Sequence, residues 1–147
     1  MQDKKETERI TLNMFIRLYE EFPNGKVIAG ESPDFLLKIN TRKTIGIELT
    51  ELKGQDFLNH TGSLIDPTNL FLNIKDTISC KERKLYLYRK NSLCQIWLLI
   101  HLNRLAVPAN FNIKNKFEKL DSESGFDRIF LLETGREKLY LIGRPFS

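Results

Sequence analysis

Asp34 and Glu48 are the residues whose types and spacing best suit chemistry. Asp34 follows Pro33 and opens an apolar, strand-like run from Phe35 to Ile39. Glu48 lies fourteen residues later, inside the alternating run Thr44-Ile-Gly-Ile-Glu-Leu-Thr50. Between the runs, Asn40 to Lys43 forms a polar connection of hairpin length. Paired strands bring two such side chains to one spot. Two carboxylates there supply what a hard divalent cation requires: charged oxygen ligands, with positions left for water and phosphate. Along the second run Ile45, Ile47 and Leu49 point one way, and Thr44, Gly46, Glu48 and Thr50 the other. Glu48 and Thr50 therefore share a face, and Gly46 is expected to leave that face open to a ligand or to another backbone.

A cation of the protein's own comes from further along. A long helix is expected from Pro67, with Asp66 as its N-cap, to about Tyr88. Leu70, Ile74, Ile78, Leu85 and Tyr88 form its apolar stripe. Lys81, three residues after Ile78 and four before Leu85, falls inside that stripe. An ammonium there must snorkel out or reach a polar group. If the helix packs beside the acidic strands, Lys81 reaches the carboxylates, with Lys84 one turn on as its substitute. Lys81, Arg83, Lys84, Arg89 and Lys90 crowd into ten residues with Glu82 alone against them. Such a cluster can follow nucleic-acid phosphates, with Arg83, Lys84 and Arg89 as backbone contacts; the plainer reading is a solvated helix face.

The elements that must position these groups follow from periodicity. Residues 5 to 22 read as an amphipathic helix through Ile10, Met14, Leu18 and Phe22, stopped by Pro23-Asn24-Gly25. Val27 to Ala29 is a short strand, followed by the two acidic strands. Residues 55 to 65 read as a polar loop. Gln95 to Leu102 reads as a buried central strand, 107 to 112 as a loop, Asn115 to Leu120 as a short helix, and Arg128 to Glu133 and Lys138 to Ile142 as closing strands around Thr134-Gly135-Arg136. The expected fold is one α/β domain over residues 1–147, a mixed central sheet flanked by helices.

Composition excludes several classes. The chain has 147 residues, of which 41% are hydrophobic and 29% charged, ordinary for a globular protein with one core. Its longest apolar run, Ile96 to Ile100, is far short of the ~20 residues of a membrane span. The charged N-terminus lacks the apolar region of a signal peptide, so the expected location is cytoplasmic, with no membrane partner. Cys80 and Cys94 suit neither a zinc site nor a disulfide framework. His60 and His101 have no motif partner, and no nucleophile triad, P-loop or dinucleotide fingerprint is present. The net charge of +4 is modest.

Pro33-Asp34 and Glu48-Leu49-Thr50, in this order of elements, resemble the PD-(D/E)XK nuclease superfamily, whose fold is the restriction-endonuclease-like core. The resemblance covers most of the chain. It implies that Asp34 and Glu48 hold Mg²⁺ or Mn²⁺ and that the protein hydrolyses DNA phosphodiesters. A glutamate on the first helix often adds to that site, and Glu21 is the better placed of Glu20 and Glu21. The family motif ends in acid-X-Lys, and here Thr50 stands at the lysine position. In parts of the superfamily this lysine has moved to the following helix, which gives Lys81 the role, with Thr50 near the attacking water. The size implies a homodimer or protein partner for specificity. The alternative is a fold that has lost its chemistry: a nucleic-acid-binding subunit or a toxin-neutralising immunity protein.

Overall fold

A computed structural model describes residues 3–52, 67–90, 92–105, 113–120 and 124–143. The polar stretch at 55–65 with His60, the cap Asp66 and the loop at 107–112 lie outside the described residues. The strands are β1 (Lys26–Ala29), β2 (Phe35–Lys38), β3 (Thr44–Glu51), β4 (Gln95–Leu102), β5 (Arg128–Glu133) and β6 (Lys138–Ile142). The helices are α1 (Lys4–Leu18), α2 (Pro67–Glu82), α3 (Leu85–Arg89) and α4 (Ile113–Glu118).

The sheet runs in chain order, β1-β2-β3-β4-β5-β6. β1, β2 and β3 form an antiparallel meander. β3, β4 and β5 are parallel, and β6 closes antiparallel to β5. β3 is therefore the strand where the pairing changes from antiparallel to parallel. Parallel strands need crossovers, which α2 and α3 supply between β3 and β4. β4 is buried on both faces, which explains its unbroken apolar run.

Alternation assigns the two faces. Ile45, Ile47 and Leu49 of β3 pack with Trp97, Leu99 and Phe130 against Leu12 and Phe15 of α1. The other face of the sheet, with Leu98, Ile100 and Leu131, packs on Leu70, Ile74 and Ile78 of α2, Tyr88 of α3 and Phe117 of α4. Each fully buried side chain of this size contributes about 1.5–3 kcal/mol. The mixed sheet between helices agrees with the expected α/β class.

The expected helix over 5–22 ends at Leu18. Tyr19 has left the helix, with an extended backbone. The aromatic side chains explain it: Phe15, Tyr19 and Phe22 all pack edge-on to Trp97, at centroid distances of 6.4, 6.0 and 6.2 Å. The turn after Tyr19, with Phe22 N–H donating to Tyr19 C=O at 3.0 Å, brings Phe22 back to that ring. The expected helix from Pro67 to Tyr88 is two helices, α2 and α3, joined by an elbow at Arg83 and Lys84. An unbroken helix would separate Lys81 and Tyr88 by about 10.5 Å of rise; with the elbow both meet one carboxylate.

Candidate functional site

The β2–β3 register builds the site. Phe35 faces Ile47, so Asp34, one residue before β2, stands beside Glu48. The backbone N–H of Asp34 donates to Glu48 Oε1 at 3.1 Å. In return Asp34 Oδ2 accepts the N–H of Leu49 at 2.8 Å. These reciprocal bonds tie the Asp34 carboxylate, just before β2, to the Glu48 carboxylate within β3. Pro33 reaches the pair by lying over Gly46. A Cβ on Gly46 would come within 2.8 Å of Pro33 Cγ and 2.5 Å of Leu93 Cδ1. The expected opening at Gly46 is thus filled by protein, and the glycine serves close packing.

Two side chains from across the core complete the cluster. Lys81 Nζ lies 3.0 Å from Glu48 Oε2, and Tyr88 donates its hydroxyl to the same oxygen at 2.6 Å. Glu48 is 5% exposed, so its charge needs these donors. Lys81 is where the apolar-stripe reading places it, and it reaches Glu48 from α2. Tyr88 was expected only as an apolar stripe residue. Its hydroxyl was the available signal, since a buried tyrosine usually needs a hydrogen-bond acceptor.

The electrostatics are those of two carboxyls in one partly buried site. Burial is the largest influence on Asp34, followed by its hydrogen bond to Glu48 and the charge of Glu48. Together they outweigh the Leu49 N–H and push Asp34 up to about 8. Burial also acts upward on Glu48, but the hydrogen bonds from Asp34 and Tyr88 and the charge of Lys81 override it and hold Glu48 below its ordinary value. Burial, then the bond to Glu48, pushes the Tyr88 hydroxyl up. The two carboxyls are thus pushed in opposite directions, Asp34 toward its neutral form and Glu48 toward its charged form.

The other expected site residues lie at varying distances from this cluster. Thr50 is half-buried on β3, two residues beyond Glu48 on the same face. Glu21 is exposed in the turn beyond α1. There it interacts with the Tyr19 hydroxyl, and it is not among the groups that act on Asp34 or Glu48. The acid of α1 that does act on Asp34 is Glu8. It lines a cleft of about 440 Å³ beside Asp34, with Lys4, Arg9, Gly30 and Phe35. Arg9, the next residue on α1, stands over the Phe35 ring at 5.8 Å from its centroid, which sets this part of the helix beside the start of β2. Arg83 and Lys84 are exposed at the elbow and Arg89 is exposed on α3.

The chemistry of the donor set fits a hard cation: Asp34 and Glu48 offer two oxygen-only ligands already held together. Among the described residues no group of three or more His, Cys, Asp or Glu gathers for a metal ion. No family model matches the chain, and no match occurs among curated proteins or solved structures. Among the described residues no helix is long and apolar enough to cross a membrane.

Proposed function

We propose that the protein is a metal-dependent nuclease that hydrolyses DNA phosphodiester bonds. The observation that carries this reading is the convergence of Asp34, Glu48 and Lys81 on β3, where the sheet changes from antiparallel to parallel. The order α1-β1-β2-β3-α2-α3-β4, with β4 parallel to β3, supports a restriction-endonuclease-like core. Asp34 and Glu48 would hold Mg²⁺ or Mn²⁺, which when bound supplies Lewis-acid polarisation of water and of the scissile phosphate.

The chain's own residues do the rest. Glu48 keeps the pair charged, and Tyr88 fixes its orientation. The Lys81 ammonium, a point charge on a flexible stem, stabilises negative charge developing on phosphate. Thr50 offers a hydroxyl on the same face. Glu8 adds negative charge beside Asp34. DNA is the expected partner, with a second copy or another protein supplying specificity.

A second reading rests on the same cluster. Lys81, Tyr88 and the Asp34 N–H already satisfy the buried Glu48 carboxylate. A binding scaffold without chemistry, such as a nucleic-acid-binding subunit or a toxin-neutralising immunity protein, needs no more than this. Incubation of supercoiled plasmid with the protein and millimolar Mg²⁺ or Mn²⁺ separates the two. Nicking that Glu48→Gln abolishes supports the nuclease; intact plasmid with both cations supports the scaffold.

A further inference from the structure

The α2–α3 elbow joins the candidate site to an exposed surface of unusual composition. Tyr88 of α3 is fully buried and bonded to Glu48. Two residues earlier on the same short helix, Tyr86 is 64% exposed, the most exposed of the large hydrophobic side chains described. Its ring has the Lys90 ammonium 5.9 Å from the centroid. Arg83, Lys84, Arg89 and Lys90, its near neighbours along the chain, are all exposed. Glu82, half-buried at the end of α2, is the only acid in the run from 81 to 90. An exposed aromatic face among four cations complements one ligand chemistry closely: a polyanion carrying flat, unpaired bases.

We infer that the elbow is a single-strand platform, on which Tyr86 stacks an unpaired base while Arg83, Lys84 and Lys90 take the flanking phosphates. The inference rests on the nuclease reading and names its substrate class: single-stranded nucleic acid, or duplex locally opened beside the site. Duplex DNA keeps its bases stacked inside and offers Tyr86 no free face. Anchoring α3 to Glu48 through Tyr88 holds the platform at a fixed place relative to the carboxylates. The basic run alone resembles any solvated helix face; the exposed ring within it supplies the reason for a base.

Fluorescence anisotropy with labelled single-stranded and duplex DNA of equal length, in chelator, tests this without requiring catalysis. The wild type should prefer the single strand. Tyr86→Ala should weaken single-strand binding roughly 5- to 100-fold, Tyr86→Phe should retain it, and neither should shift the melting temperature appreciably. Lys84→Glu should weaken both ligands and lower the salt dependence. Equal affinity of Tyr86→Ala and wild type for the single strand overturns the platform, even if the protein cleaves DNA. Failure to bind either DNA also overturns it. Tyrosine-dependent binding without cleavage keeps the platform and removes only the nuclease reading.

Discussion

Asp34 and Glu48 hold each other through the backbone as well as through their side chains. Each carboxylate accepts an N–H from the other's strand, Asp34 N–H to Glu48 at 3.1 Å and Leu49 N–H to Asp34 at 2.8 Å. The pair is thus a product of strand register. It costs the fold free energy, because two carboxyls in a partly buried site resist ionising together.

The pH dependence of stability in chelator should carry that cost. Asp34 is raised from 3.8 to about 8, so between these values the native state binds more protons than the unfolded chain. Stability from this group is full below its unfolded value and falls as pH rises toward 8. Glu48, held below its ordinary value, acts oppositely: its contribution is present above that value and is lost as pH falls through the folded one. Thermal melts of Asp34→Asn should lose the decline between about pH 4 and 8. The variant should melt higher than wild type at pH 9. A wild-type melting temperature that rises steadily from pH 5 to 8 relative to Asp34→Asn contradicts the assignment.

Tyr88→Phe should destabilise the protein by about 1.5–3 kcal/mol, the usual worth of a hydrogen bond to a charged group. Urea denaturation measures it. The same hydroxyl deletion at exposed Tyr86 should have almost no effect on stability, which controls for the substitution itself.

Lys81 bears on both stability and chemistry. Its ammonium is the counter-ion of a buried carboxylate, so Lys81→Met should cost roughly 1–3 kcal/mol, less than a fully buried pair because the lysine side chain is 20% exposed. Lys81→Met with Glu48→Gln should be more stable than Lys81→Met alone, since no unpaired charge remains. A double-mutant cycle that shows additive losses would falsify the ion pair.

Much of this was legible in the sequence. The hairpin length and the period-two alternation of 44–50 put Asp34 beside Glu48, and an unbroken apolar run marked β4. A lysine inside an apolar stripe pointed correctly to a polar destination. The break between α2 and α3 was not legible, because Arg83 and Lys84 carry neither glycine nor proline; tertiary demand, the meeting of Lys81 and Tyr88 at one oxygen, sets it. The end of α1 was hidden likewise. Phe22 continues the helical spacing, yet it reaches Trp97 through a turn, and Glu21 leaves the helix with it. Glu8 gave no signal in sequence, since only packing reveals which helix residues stand beside Asp34.

Gly46→Ala should be destabilising by about 1–3 kcal/mol through overpacking, because the new methyl meets Pro33, Leu93 and Ile96 at once. Displacement of Pro33 should also disturb Asp34. Chemical denaturation reads the first effect. The second appears as a weaker rise in melting temperature with Mn²⁺ than the wild type gives.

Cleavage of end-labelled single-stranded DNA under single-turnover conditions tests the central claim most directly. Wild-type protein should cut in Mn²⁺ and not in chelator. Asp34→Asn and Glu48→Gln should each lower the rate by at least about a hundredfold, and Lys81→Met by a similar factor, consistent with loss of a charge acting on the transition state. Cleavage that persists unchanged in Asp34→Asn and Glu48→Gln, or no cleavage by well-folded wild type with either Mg²⁺ or Mn²⁺, contradicts the account.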